Sequence, residues 1–223
     1  MGRLLLLVIV AGSTVPAFAD PLFQTLPEDG TGAKFHVNMV LNGKDQARHW
    51  KTLSVGRRMV DGQPARWIEL HGEAYDQGVI KYRLLIPEAE FGPGKHPLSK
   101  AVETWQRIND EEPRRIDSLQ NDLFLYTLLS GPGDGKKLAD KEPVEWQKGR
   151  FNCDVVEGSS QIKLGPFDVA IKHRSYYHED APFGFAGTRQ EFQRTVGGNT
   201  DKAILDARLV EILKDTTSGF PGE

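Results

Sequence analysis

From Phe35 to Leu213, apolar side chains keep returning at every second position, in runs set apart by pairs such as Asn42-Gly43, Asp61-Gly62 and Gly197-Gly198. No other feature constrains the fold as much. Successive side chains on a strand point to opposite faces, so a period of two marks a half-buried strand. Asn-Gly and Asp-Gly accept the left-handed backbone of tight hairpin loops. Phe35, Val37, Met39 and Leu41 alternate with His36 and Asn38. Further strands are expected over 48–57, 65–74 and 78–86. The last of these sets Ile80, Tyr82, Leu84 and Ile86 on one face and stops at Pro87. The pattern resumes at 143–147, 150–156, 160–164, 167–177 and 187–196. Residues 202–213 alternate Ala203, Leu205, Ala207 and Leu209, and their Ala, Leu, Arg and Glu content also suits a helix. The hairpin partner just before them favours a strand.

The middle of the chain changes period. Leu98, Val102, Trp105 and Ile108 recur at helical spacing, as do Ile116, Leu119, Leu123 and Tyr126. Pro113 suits a first helical turn, Asp110, Glu111 and Glu112 suit its positive end, and Gly131-Pro132-Gly133 is a stop. A helix is therefore expected over 113–129, and a second over 98–108. The expected fold class is α+β: a strongly curved antiparallel sheet, an unclosed half-barrel, wrapped over a central helix. Leu119, Leu123, Phe124 and Tyr126 of that helix would fill the concave side.

The first nineteen residues read as an address. Arg3 is a basic start, Leu4 to Ala11 is an apolar run, and Ala17-Phe18-Ala19 fits small-x-small cleavage, with the mature chain beginning near Asp20. The apolar run is too short for a bilayer, which needs about 20 residues, and no later run is long enough to span one. The expected organisation is a signal peptide over 1–19, a flexible leader over 20–32 rich in Pro, Gly and acids, and one domain over 33–223. Export to the periplasm or the outside follows. The net charge of −3, with no basic patch above background, argues against nucleic acid. Cys153 is the only cysteine, so no internal disulfide can form. Its place between Phe151 and Val155 points it inward, as a small buried hydrophobe.

Motifs that carry chemistry are scarce. The chain has no G-x-S-x-G, no H-E-x-x-H, no phosphate loop and no dinucleotide fingerprint. The Gly-rich stretch 130–137 follows an expected helix, whereas a phosphate loop follows a strand. Of the six histidines, His173 and His178 are five residues apart and face opposite ways on one strand, which disfavours a shared metal. No metal and no cofactor is expected. Glu69 and His71 share a face and could form an acid–base pair, or an exposed polar row, which the edge-like pattern favours. His178 with Glu179 and Asp180 reads as a solvated turn.

Residues 176–187, YYHEDAPFGFAG, hold the densest aromatic cluster. Tyr177, Ser175 and His173 share one strand face, while Tyr176, Arg174 and Lys172 share the other, with Tyr176 expected across the two basic stems. Asp180-Ala181-Pro182 breaks the strand. Phe183 and Phe185 then either fold back as a lid on the core or form an apolar lip around a binding site.

Three segments carry a resemblance: VGRRMVDGQPARWIEL early in the chain, KGRFNCDVVEG at 148–158, and the long strand leading into APFGFAG. In this order they are similar to secreted proteins related to the bacterial lipoprotein-carrier proteins of the Lol type. The resemblance implies an unclosed antiparallel barrel over a helix, whose hollow holds acyl chains, and it transfers no individual binding residue. The expected function is an exported, non-enzymatic protein that binds an apolar or lipid-like ligand or an envelope partner. Phe183, Phe185, Tyr177, Leu123 and Tyr126 are the candidate ligand contacts. The alternatives are a hydrolase using His71 with Glu69 or His178 with Glu179, and an interaction module that offers a sheet edge.

Overall fold

The computed structural model describes residues 23–41, 44–74, 78–92, 95–117, 135–164, 167–196 and 199–220. The strands are β1 (Gly32–Leu41), β2 (Lys44–Val60), β3 (Gln63–Ala74), β4 (Gly78–Pro87), β5 (Glu103–Ile108), β6 (Arg114–Arg115), β7 (Lys136–Lys137), β8 (Glu142–Trp146), β9 (Gly149–Leu164), β10 (Phe167–Tyr177), β11 (Phe185–Val196) and β12 (Asn199–Leu213). They form one 12-stranded sheet in the order β6-β5-β4-β3-β2-β1-β12-β11-β10-β9-β7, with β8 also paired to β9. Every pairing is antiparallel. The chain runs out from the centre through β2 to β6, then returns from the far edge to close on β1 through β12. Among the described residues no pairing joins β6 to β7, so the sheet stays open.

The turn chemistry acts as expected at Asp61-Gly62. Both residues have positive φ, 49° and 78°, and Val60 pairs directly with Gln63. That is a two-residue loop whose twist matches its strands. Asn42-Gly43 lies outside the described residues.

Curvature is visible in one contact set. The ring of Phe23 stands 6.0 Å from Phe91, just beyond β4, and 5.3 Å from Phe183, just before β11. Strands β4 and β11 are five places apart, about 24 Å in a flat sheet at the usual spacing. One ring can touch both only if the sheet curls into a trough. Bulges help it to bend: the β2–β3 register shifts between Ser54 and Arg57, and the β10–β11 register at Tyr176/Tyr177. The inner face carries the main core, including Phe35, Val37, Ile68, Leu70, Tyr82, Leu84, Phe185, Leu205 and Leu209. The Trp50 ring lies over Gly72, where a Cβ would be 2.3 Å from it. A smaller cluster of Leu53, Val55, Ala65, Trp67 and Leu85 sits on the outer face of β2–β4.

The architecture corrects the expected α+β class. The described chain is nearly all antiparallel sheet, and no helix in it reaches seven residues. Over 98–108, a single 3-10 turn at Pro97–Lys100 precedes β5. Thr104, Trp105 and Ile108 suit a strand, and the free edge of β4 offers a backbone ladder that a lone short helix cannot match. Of the helix expected over 113–129, Arg114–Arg115 is a strand paired to β5, and 118–134 lies outside the described residues. The central helix is thus not part of the described fold. The strands expected at 150–156 and 160–164 are a single strand, β9. Residues 202–213 are strand, within β12.

Residues 23–31 are tied down. Phe23 is buried, Gln24 and Thr25 donate backbone hydrogen bonds to the Phe183 carbonyl, and Gly30 donates to Ser54. Asp29 accepts from the Gly56 N–H at 2.5 Å.

The β11 bulge makes a strict test. A Cβ on Gly187 would lie 2.4 Å from the Ala207 carbonyl oxygen. Gly187→Ala should destabilise the fold by about 1–3 kcal/mol, because a packed strand must move. A lowered urea midpoint with unchanged m-value would show it, and an unchanged midpoint would contradict this account of the bend.

Candidate functional site

The inner wall is mostly apolar, with single polar residues such as Thr52 and Thr104, and one continuous polar row stands out on it. On β10, His173 and Ser175 face inward; on β11, Gln190 and Thr188 stand directly opposite them. All four are buried, at 3% exposure or less. His173 Nε2 lies 2.7 Å from Ser160 Oγ of β9, and Ser175 Oγ lies 3.1 Å from Thr188 Oγ1. Apolar walls flank the row: Leu205 pairs with Gln190 and Ala207 with Thr188. Tyr177 and Phe185, paired across β10 and β11, continue the same face with ring centroids 6.1 Å apart. Buried polar side chains are stable only when they are hydrogen-bonded. Such a row inside an apolar trough is a specific chemical feature.

The aromatic stretch folds inward. Phe183 and Phe185 are each 1% exposed, Phe183 against Phe23 and Phe185 against Phe35 at 5.5 Å. Phe183 takes a left-handed φ of 62° inside the short turn Pro182–Gly184. Tyr177 is buried beside them, and Leu123 and Tyr126 lie outside the described residues. Tyr176 has a partner from further along the chain. The Arg208 guanidinium lies over its ring at 4.3 Å, while Arg174 bonds to Glu142 and Glu157. Both pairings cross strand boundaries that local reading cannot see.

The histidines separate as their spacing indicated. His173 is inside the trough, whereas His178 lies in the turn and stacks on Phe151 at 4.6 Å. Among the described residues no group of three or more His, Cys, Asp or Glu is placed to hold a metal. Cys153 is buried, and burial pushes its thiol up to about 11, away from thiolate chemistry.

Glu69 and His71 are not an exposed row. Glu69 is fully buried on the outer face, because the C-terminal segment 214–220 crosses over it. Its carboxylate accepts from His71 Nε2 at 2.8 Å, from the Gly219 N–H at 2.9 Å and from the Ser218 hydroxyl, and Arg83 stands 3.7 Å away. Phe220 is buried beside Arg83, whose guanidinium covers Trp67 at 4.3 Å. Burial pushes the Glu69 carboxyl up, but the bonds from His71, Ser218 and Gly219 outweigh it and hold it below its ordinary value. A general acid or base works best near the ambient pH. Glu69 is displaced from that range and sealed, so the pair acts as a latch for the chain's end. The signal readable in advance was an acid set between Ile68 and Leu70 in a strand with buried neighbours.

No family model matches the chain, and no curated protein sequence matches it. Solved structures similar to it include a protein with a YmcC-like fold from Bacteroides fragilis, at 10% identity and TM-score 0.44, covering 86% of this chain and all of that one. They also include a DUF1329 family protein from Desulfovibrio piger, at 15% identity and TM-score 0.36, covering 85% and 87% of the two chains. A LolA superfamily protein from Nitrosomonas europaea matches at 11% identity and TM-score 0.30, covering 89% and 90%. The Lol-type resemblance of the sequence is thus represented among its structural neighbours.

Two outcomes check this geometry. Phe183→Ala should cost about 3–5 kcal/mol, the usual range for a buried phenylalanine, and thermal unfolding would read it. For Glu69, the folded carboxyl titrates below the unfolded one. Its stabilisation is therefore complete above the ordinary carboxylate range and lost as pH falls through the lowered folded value. Glu69→Gln should be less stable at neutral pH by about 1–3 kcal/mol and show a flatter acid limb in urea titrations.

Proposed function

We propose that this chain is an exported protein that holds an apolar or lipid-like ligand against the inner face of its open sheet. The buried polar row within an apolar wall supports the reading best. Phe35, Val37, Leu205 and Leu209 line the inner face, buried to 3% exposure or less, and would contact a hydrocarbon chain admitted between the wings of the trough. His173, Ser175 and Thr188 are bonded within the protein, and with Gln190 they would exchange such bonds for an ester, amide or carboxyl group on the same ligand. Ligand sites commonly combine mostly apolar walls with a few placed polar groups. Tyr177 and Phe185, at the end of the row, are the aromatic contacts, and Phe183 backs them with Phe23. The signal-like start over 1–19, cleaved near Ala19, would deliver the chain to the periplasm or the outside, where an envelope protein would give or receive the ligand. No helix among the described residues is long and apolar enough to cross a membrane.

Native mass spectrometry of the mature protein, purified from its exported fraction, tests the reading. A lipid-sized mass that is lost on denaturation is the expected result, with an intact mass beginning at Asp20. Gln190→Leu should lower uptake of a fluorescent fatty acid while the protein stays folded. An empty mass, together with no fatty-acid uptake by the wild type, would overturn it.

A further inference from the structure

On the outer side of the sheet, three segments far apart in sequence meet around an open pocket of about 380 Å³. The stretch before β1 supplies Asp29 and Gly30, the bulge of β2 supplies Val55 and Gly56, and the segment after β12 supplies Thr216 to Ser218. Small-ligand sites usually hold about 300–1,000 Å³, so this one suits a ligand the size of a single ring. Its walls are fixed. Asp29 accepts from the Gly56 N–H, and the Thr216 N–H donates to the Gly30 carbonyl at 2.9 Å. Glu69 accepts from the Ser218 hydroxyl and the Gly219 N–H, while Lys81 and Arg107 donate to the Gly219 carbonyl. The buried Glu69 latch therefore also sets one wall of the pocket. A site whose walls are set before binding loses little entropy when it binds.

Two buried polar atoms adjoin it. Trp67 is 2% exposed, and among the described residues its indole N–H has no acceptor. Thr216 Oγ1, in the pocket wall, is buried and has no partner among them either. A buried donor without an acceptor is costly, and nearly all such groups in folded proteins are satisfied. The indole is held in one orientation: the Arg83 guanidinium covers its ring at 4.3 Å, and Leu85 is its neighbour in register on β4. Its pyrrole edge turns to the bulge. A Cβ on Gly56 would stand 4.0 Å from Trp67 Cδ1, the atom bonded to Nε1. Apart from the chain neighbours of Gly56, nothing else comes within 4 Å of that position, so the glycine leaves the pocket open beside the indole.

We propose that this pocket binds a neutral hydroxylated ligand, one sugar ring or a polyol of that size. The inventory of donors and acceptors decides the class. The Trp67 indole N–H can only donate, so the ligand must present an oxygen that accepts. The Asp29 carboxylate, half exposed at the rim, can only accept, so the ligand must also present a donor. The hydroxyls of Thr216 and Thr217 do both. Arg66 stands 4.0 Å from Asp29 and offsets its charge, so the pocket favours neither a cation nor an anion. Adjacent hydroxyls on one ring meet all of these demands, and Val55 offers its methyl groups to the C–H face of such a ring. The site is separate from the inner face, and its test does not need the lipid-like ligand reading to hold.

The test follows the indole N–H signals of the full mature chain by proton–nitrogen NMR. The chain has four tryptophans, and the signal lost in Trp67→Phe is that of Trp67. Glucose, galactose and N-acetylglucosamine are titrated in turn, with glucuronate and glucosamine as charged counterparts of the same ring. The Trp67 signal should shift with a neutral sugar, while those of Trp50, Trp105 and Trp146 stay in place. Thr216→Val keeps the shape of the wall and removes its hydroxyl. It should weaken the binding about tenfold with an unchanged melting curve. That comparison uses the wild type and Thr216→Val alone, so it stands even if Trp67→Phe does not fold. No response to any sugar would overturn the proposal and leave an ordered water as the partner of the indole. A response to glucuronate or glucosamine without one to the neutral sugars would overturn the neutral class. Full-strength binding by Thr216→Val would place the ligand elsewhere and overturn the site.

Discussion

A sheet of twelve antiparallel strands cannot bury one whole face while it is flat, because nothing stands opposite its centre. The contact of Phe23 with Phe91 and Phe183 marks how this chain meets that constraint. The sheet curls until its two wings share one aromatic ring, and the inner face becomes its own partner. The bulges in β2 and β11 supply local bend. The segment before β1 supplies the ring and fastens itself by hydrogen bonds to the Phe183 carbonyl. The polar row of β10 and β11 comes to lie inside a trough only because of this curl.

The outer face follows different rules on its two halves. On β2 to β5, an apolar patch around Trp67 is sealed by the chain's own end, and Glu69 fixes that end through His71, Ser218 and Gly219. At the rim of the inner face, Arg66 is likewise buried and held by Ser54, Glu88 and the Pro27 carbonyl. Burying a charge is tolerable only with such complete pairing, since desolvation otherwise exceeds the attraction. The two buried charges therefore join segments far apart in sequence: Glu69 holds residues 218 and 219, and Arg66 holds the stretch before β1.

Much of the architecture was legible. The period of two placed the strands at both ends of the chain within a few residues, because half-buried strands expose the alternation directly. Cys153 was read as inward for the same reason. The middle misled, because Leu98, Val102, Trp105 and Ile108 fit a helical spacing by count, while the ladder offered by β4 settled the matter. The Glu69–His71 pair was legible as a shared face but not as a buried one, since what covers it lies about 150 residues away. The inner polar row went unread as a unit: His173 and Ser175 pair with Gln190 and Thr188 only once the register of β10 and β11 is set.

The sequence by itself determined the class of backbone, because alternation and turn pairs are local. It also determined that a chain with a single cysteine must rely on packing rather than on an internal disulfide. Only the tertiary structure decided which face is inside, where the aromatic stretch points, and which charges are matched. Those outcomes depend on strand order, register and curvature. Each couples residues through space, and no local pattern along the chain encodes them.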